Sequence, residues 1–199
     1  MHAYFAGLGT ALSLIVAIGA QNAFVLKQGL MRRHVLAVCA FCAISDAMLI
    51  SAGVMGAGAV AAAAPWFLGV MRWGGAAFLL IYGARSFRAA WRGGAVLQAG
   101  QGGGAGLGAT LAVLAALTWL NPHVWLDTVV LIGSVSAGWE NRGAFAAGAV
   151  SGSGLFFFAL GYGARWLTPL FARPLAWRVL DGLVGLVMWS IALGLVRGG

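Results

Sequence analysis

Six long apolar stretches follow one another along this chain, and they limit what it can fold into. They run from about Tyr4 to Leu26, Val35 to Val60, Trp66 to Phe87, Leu107 to Val135, Ala144 to Leu167 and Leu175 to Val196. A helix needs roughly 20 apolar residues to cross the hydrocarbon of a bilayer. Hydrophobic residues make up 62% of the 199 residues and charged residues 8%, where a soluble domain carries about 25% charged. Mean hydropathy is +0.94. A water-soluble fold could not hide so much apolar surface, so lipid is the solvent. Backbone polar groups in lipid must be satisfied within the protein, which makes each span helical. The expected fold class is all-α: a polytopic membrane helix bundle of about six transmembrane helices, one integral membrane domain over residues 1–199. The N-terminus lacks the basic region of a cleavable signal peptide, so the first stretch is kept as a span.

The charges fall between the stretches. Lys27, Arg32 and Arg33 follow the first, Arg85, Arg88 and Arg92 the third, and Arg165, Arg173 and Arg178 the fifth. Only Arg72, Arg142 and Arg197 remain for the other side. The positive-inside rule places the odd connections in the cytoplasm and both termini outside. A net charge of +8 so distributed is a loop signature and excludes a nucleic-acid partner, since no polar surface is available to carry a basic patch. Arg85, Arg88 and Arg92, interleaved with Phe87 and Trp91, read as a helix end at the anionic surface of the membrane lipids.

Between Gly93 and Gly108 glycine recurs at eight positions, the pattern of a flexible linker. It divides the chain into a first three-helix half (1–92), a cytoplasmic linker (93–106) and a second three-helix half (107–199). Three spans is an odd number, so the second half enters the membrane in the opposite sense, the layout of a 3+3 inverted repeat. Glycines at small-residue spacing, such as Gly148 with Gly152 and Gly182 with Gly185, are expected at helix contacts.

Polar residues interrupt the first and fourth stretches at corresponding places: Gln21-Asn22 in one half, Asn121-Pro122-His123 in the other. Such breaks mark binding sites in many transporters. Asn is a favoured N-cap, and Pro suits the first helical position because its missing N–H would have no partner there anyway. A helix starting at Asn121-Pro122 would point a positive dipole end into the protein, where it suits a carboxylate. A plain proline kink is the structural alternative.

Asp46 and Asp127 are the acidic residues expected well inside spans. A central Asp costs roughly 2.5–3.5 kcal/mol on insertion scales, a cost usually kept for function. On an α-helix, Cys39, Cys42, Asp46 and Gly53 share one face, and His123, Asp127 and Ser134 share another. A cation carried through a low-dielectric pocket needs a nearby anion, so the two aspartates are the candidates to bind it and to exchange it for a proton. Pairing with an internal Arg or His is the alternative. His123, one turn before Asp127, could relay protons or be a satisfied interior histidine. Asp181 with Arg178, and Glu140 with Arg142, read as interfacial ion pairs. Cys39 and Cys42 have redox or metal-motif spacing but no second pair, so small packing residues fit them better. No cofactor or resident metal is called for, and no nucleotide-binding loop or protease motif occurs.

Ile18-Gly19-Ala20-Gln21-Asn22-Ala23-Phe24-Val25-Leu26 resembles the first-span signature of the lysine exporter family, and the stretch from Asn121 to Gly133 resembles its fourth-span signature. Cys42-Ala43-Ile44-Ser45-Asp46 also fits. The similarity covers nearly the whole chain and is closest to the arginine and lysine exporter branch. It implies no enzyme, but a multi-pass protein of the bacterial inner membrane that exports basic amino acids on the proton gradient, with Asp46 and Asp127 as the important acidic pair. The substrate-contact set expected is Asp46, Asp127, Asn22, Gln21, Asn121, Pro122 and His123. Moving one positive charge outward against an inside-negative potential costs about 2.3 kcal/mol per 100 mV, so export needs an inward ion, most simply a proton. Exporters of neutral amino acids or of a metal cation, and a membrane thiol oxidoreductase, are the rival readings. Self-association into a homo-oligomer is left open.

Overall fold

The computed structural model describes residues 1–16, 19–56, 65–92 and 105–197. Among these the chain is helical throughout, without strands. In chain order the helices are α1 (His2–Ile15), α2 (Ala20–Leu30), α3 (Val35–Val54), α4 (Pro65–Arg92), α5 (Leu107–Trp119), α6 (Pro122–Ser136), α7 (Arg142–Gly163) and α8 (Pro174–Arg197). The linker at 93–104 and the end of the second apolar stretch beyond residue 56 lie outside the described residues.

Two of the six expected spans are not single rods. α1 and α2 meet at 85°, and α5 and α6 at 60°. At 1.5 Å per residue, the 14 residues of α1 reach about 21 Å, short of the ~30 Å hydrocarbon. Three helices, α3, α7 and α8, are long and apolar enough to cross alone; counting each bent pair as one span gives up to five. In α4, 28 residues long, Arg72 interrupts the apolar run. Its guanidinium donates to the Leu195 and Val196 carbonyls, capping the last turn of α8.

Glycine sets the helix contacts. A Cβ on Gly148 would overlap the Tyr4 carbonyl, and one on Gly7 the Phe145 carbonyl, so α1 lies parallel to and directly against α7. A Cβ on Gly53 or Gly133 would overlap the other helix's backbone, fixing the crossing of α3 and α6. Gly152 and Gly185 also face neighbours as expected, whereas Gly182 faces open space. α3 and α7 run antiparallel: the Cys39 thiol donates to the Phe157 carbonyl (3.2 Å) while Asp46 meets Ser153 further along. α4 and α8 are antiparallel too, tied at their other ends by Arg178 donating to the Ala90 carbonyl (2.8 Å). Leu36, Ile44 and Met48 stay exposed on α3, the surface that lipid covers.

Asp181 corrects the sequence reading. It is no interfacial partner of Arg178: it is 1% exposed and pairs with Lys27 of α2. Asp46 and Asp127 are therefore not the only acids inside the bundle. Arg178 could not compete, because its guanidinium is engaged by carbonyls at the end of α4. Glu140 is exposed and, among the described residues, forms no ion pair with Arg142.

Candidate functional site

Both bent pairs turn at the same place, and a cavity of about 310 Å³ lies between the turns. Its walls come from the end of α1 (Leu14, Ile15), the start of α2 (Gly19 to Asn22), Asp46 of α3, the first half of α6, Phe157 of α7 and Ile191 of α8. Of the seven residues expected at the site, Gln21, Asn22, Asp46, Asn121, His123 and Asp127 all line it. Pro122 does not; it is buried as the first residue of α6.

The local sequence explains each turn. Asn121 is extended and its side chain accepts from the His123 N–H (3.1 Å), so it caps α6 with Pro122 in the first helical position. Gly19 precedes α2 in an extended conformation without a side-chain cap. The first-turn N–H groups of such a helix have no intrahelical acceptor. On the other side of the first break, Asn22 donates to the Ile15 carbonyl (2.7 Å), one of the orphan acceptors at the end of α1. Asn22 thus holds the bend as well as lining the cavity. Gln21 is buried, and its amide nitrogen makes no hydrogen bond.

Asp46 is 3% exposed and accepts from the Ser153 hydroxyl at 2.6 Å. Asp127 is half-buried. Among the described residues neither carboxylate pairs with Lys or Arg, while His123 stands one turn from Asp127 on the same cavity wall. Two carboxylates and two helix starts therefore share one hollow. The first suit a cation, the second an anion.

One part of the expected face fails. Leu126–Leu131 is a π-helical turn, with i→i+5 bonding in place of i→i+4. The extra residue rotates everything after it by about one α-helical step, 100°. Asp127, Thr128 and Ile132 line the cavity, and Ser134 is exposed, bonded to the Val130 carbonyl. The sequence reading also missed Ser153, the hydrogen-bond donor to Asp46. Cys39 and Cys42 are fully buried free thiols, as packing residues would be.

Residues 12–199 match the family described as LysE type translocator. The chain belongs to the LysE family. It is 44% identical over 198 residues to a protein of Yersinia enterocolitica named arginine exporter protein ArgO, covering 98% of this chain and 97% of that one. It is 42% identical over 198 residues to proteins of the same name in Escherichia coli K12 and Salmonella schwarzengrund, covering 98% of this chain and 94% of each. No solved structure matches. As a LysE-family translocator with several apolar helices, it is a multi-pass inner-membrane transporter and not an enzyme.

Proposed function

We propose that this protein exports arginine, and also lysine, by proton antiport through the cavity between the two bends. The carrying observation is the pair Asp46 and Asp127 on one hollow, neither of them paired with a Lys or Arg among the described residues. A basic amino acid offers what the walls lack: a cationic side chain for the carboxylates and a carboxylate for the start of α2. A cavity of about 310 Å³ lies at the small end of ligand sites, matching an amino acid. When the cargo leaves, the carboxylates can take protons, which makes the return step electrically light. His123, exposed at the rim and one turn from Asp127, is placed to pass them.

The layout supports a six-span, 3+3 inverted repeat with a broken first span in each half. Several contacts between the halves recur with the halves exchanged, although α1 packs far more closely on α7 than α5 does on α3. α3 packs on α7 and α4 on α8, both antiparallel, as partners across an in-plane axis must be. α2 touches α7 and α8 where α6 touches α3 and α4. The relatives' name, arginine exporter, favours arginine as cargo. A metal cation is a poorer cargo, because no three His, Cys, Asp or Glu come together among the described residues.

Inside-out vesicles loaded by a proton gradient test the proposal. They should accumulate labelled arginine and lysine but not neutral amino acids, and a protonophore should collapse the uptake. Removing one charge of a buried cation site costs about 3–5 kcal/mol, so Asp46→Asn and Asp127→Asn should each lower transport at least about a hundredfold. Wild-type uptake by both variants, present in normal amount in the membrane, would sink the reading.

A further inference from the structure

A second cavity, of about 460 Å³, opens at the other end of α2, lined by Gly29, Arg32, Val35, Gly161, Tyr162 and Arg165. We propose that it binds the headgroup of an anionic phospholipid, its phosphodiester held between Arg32 and Arg165.

The charge inventory calls for an external anion. The chain has four acidic residues. Asp46 and Asp127 face the first cavity, and Asp181 is bound to Lys27. Glu140 stands just before α7, whereas Arg165 stands just after it, about 33 Å away at 1.5 Å per residue. The undescribed stretches contain no acid at all. No carboxylate of this chain is therefore available to Arg32 or Arg165, and both are exposed. Arginine binds phosphate oxygens through paired N–H donors, with geometry suited to this class of ligand.

The groove is built rather than incidental. Gly29 sits so close to α7 that a Cβ would overlap the Gly161 carbonyl and the Ala164 methyl. Arg32 has a left-handed backbone (φ 53°), with its N–H bonded to the Gly29 carbonyl at 3.0 Å. This turns the chain sharply from α2 into α3 and leaves Arg32 at the mouth.

What lies beneath selects a lipid over free phosphate. Leu155, Phe158 and Tyr162 recur at i, i+3 and i+7 on α7, all exposed, and the Phe158 and Tyr162 rings stack at 6.1 Å. Trp166 follows, 78% exposed. An apolar stripe descending from a pair of guanidiniums matches an acyl chain below a phosphate. Basic pockets between helices at the cytoplasmic face bind anionic headgroups in this way, and aromatic residues mark the interface level.

Native mass spectrometry of the purified full-length protein, offered phosphatidylglycerol, phosphatidylcholine or inorganic phosphate, decides it. Wild type should retain phosphatidylglycerol well above phosphatidylcholine. Each arginine removed should weaken that retention about fivefold, so Arg32→Gln with Arg165→Gln should lower it by more than about tenfold. Arg88→Gln, at the same end but outside the groove, should retain it. If the double variant is not recovered folded, Arg165→Gln alone gives the reading. Equal retention of the two lipids, undiminished phosphatidylglycerol on the variant, or displacement of the lipid by inorganic phosphate would each overturn the assignment.

Discussion

Asp46 shows how much one side chain can be asked to do. Its carboxylate sits in a nearly dry wall with a single hydrogen-bond donor, the Ser153 hydroxyl, on its second oxygen. A hydrogen bond to a charged group contributes about 1.5–3 kcal/mol. Ser153→Ala removes that donor without removing the charge, so arginine transport should fall about tenfold and stop well short of the loss caused by Asp46→Asn. Initial rates of labelled arginine uptake in inside-out vesicles check this, and a rate equal to wild type would show that the bond is idle. The residues of the candidate site were legible in the sequence because they break strong local rules: acids in lipid, and Asn-Pro where a span should continue. Ser153 and the Lys27–Asp181 pair were not, because a serine in a span is unremarkable and partners 154 positions apart leave no local trace.

The helices were legible as apolar runs, but their faces were not. In water the buried face is apolar and the exposed face polar; in lipid both are apolar, so α3 carries Leu49 and Ile50 inward and Ile44 and Met48 outward with no contrast between them. The π turn in α6 was equally hidden, since Leu126-Asp127-Thr128-Val129-Val130-Leu131 has no residue that an α-helix would refuse. What replaces polarity as the packing code is size. Gly148 has the Tyr4 backbone where a Cβ would go, while Gly154, one and a half turns along the same helix, has nothing within 4 Å. Gly148→Ala must therefore push α1 off α7, an overpacking cost of about 1–3 kcal/mol. Gly154→Ala meets no obstacle and should be neutral or gain about 0.5–1 kcal/mol from helix propensity. Thermal unfolding of the two variants in detergent should place them on opposite sides of wild type or leave only the first displaced; matching losses would mean the α1–α7 contact is not close-packed.

At the scale of the whole molecule, the order of charges along the chain becomes a polarity in space. The ends of α2, α4 and α7 and the starts of α3 and α8 meet at one end of the bundle: Gly29 lies against Gly161, and Arg178 against the last turn of α4. Arg32, Arg33, Arg85, Arg88, Arg92, Arg165, Arg173 and Arg178 thus crowd a single end, with Asp181 the acid nearest to them and already held by Lys27. Holding like charges together is unfavourable unless counter-charges surround them, and an anionic leaflet at that end would supply these through its negative surface potential. The positive-inside rule expects this basic end on the cytoplasmic side. With Cys39 and Cys42 replaced by Ala, cysteines introduced at Arg88 and Arg173 should react with a membrane-impermeant thiol reagent only in inside-out vesicles, and one at Arg142 only in intact cells. The 22 residues of α7 separate Arg142 from the basic end, so the two sets cannot label from the same side unless that helix lies flat. Such a result would undo the topology, and with it any path from a basic, cytoplasmic end through the paired carboxylates to the outside.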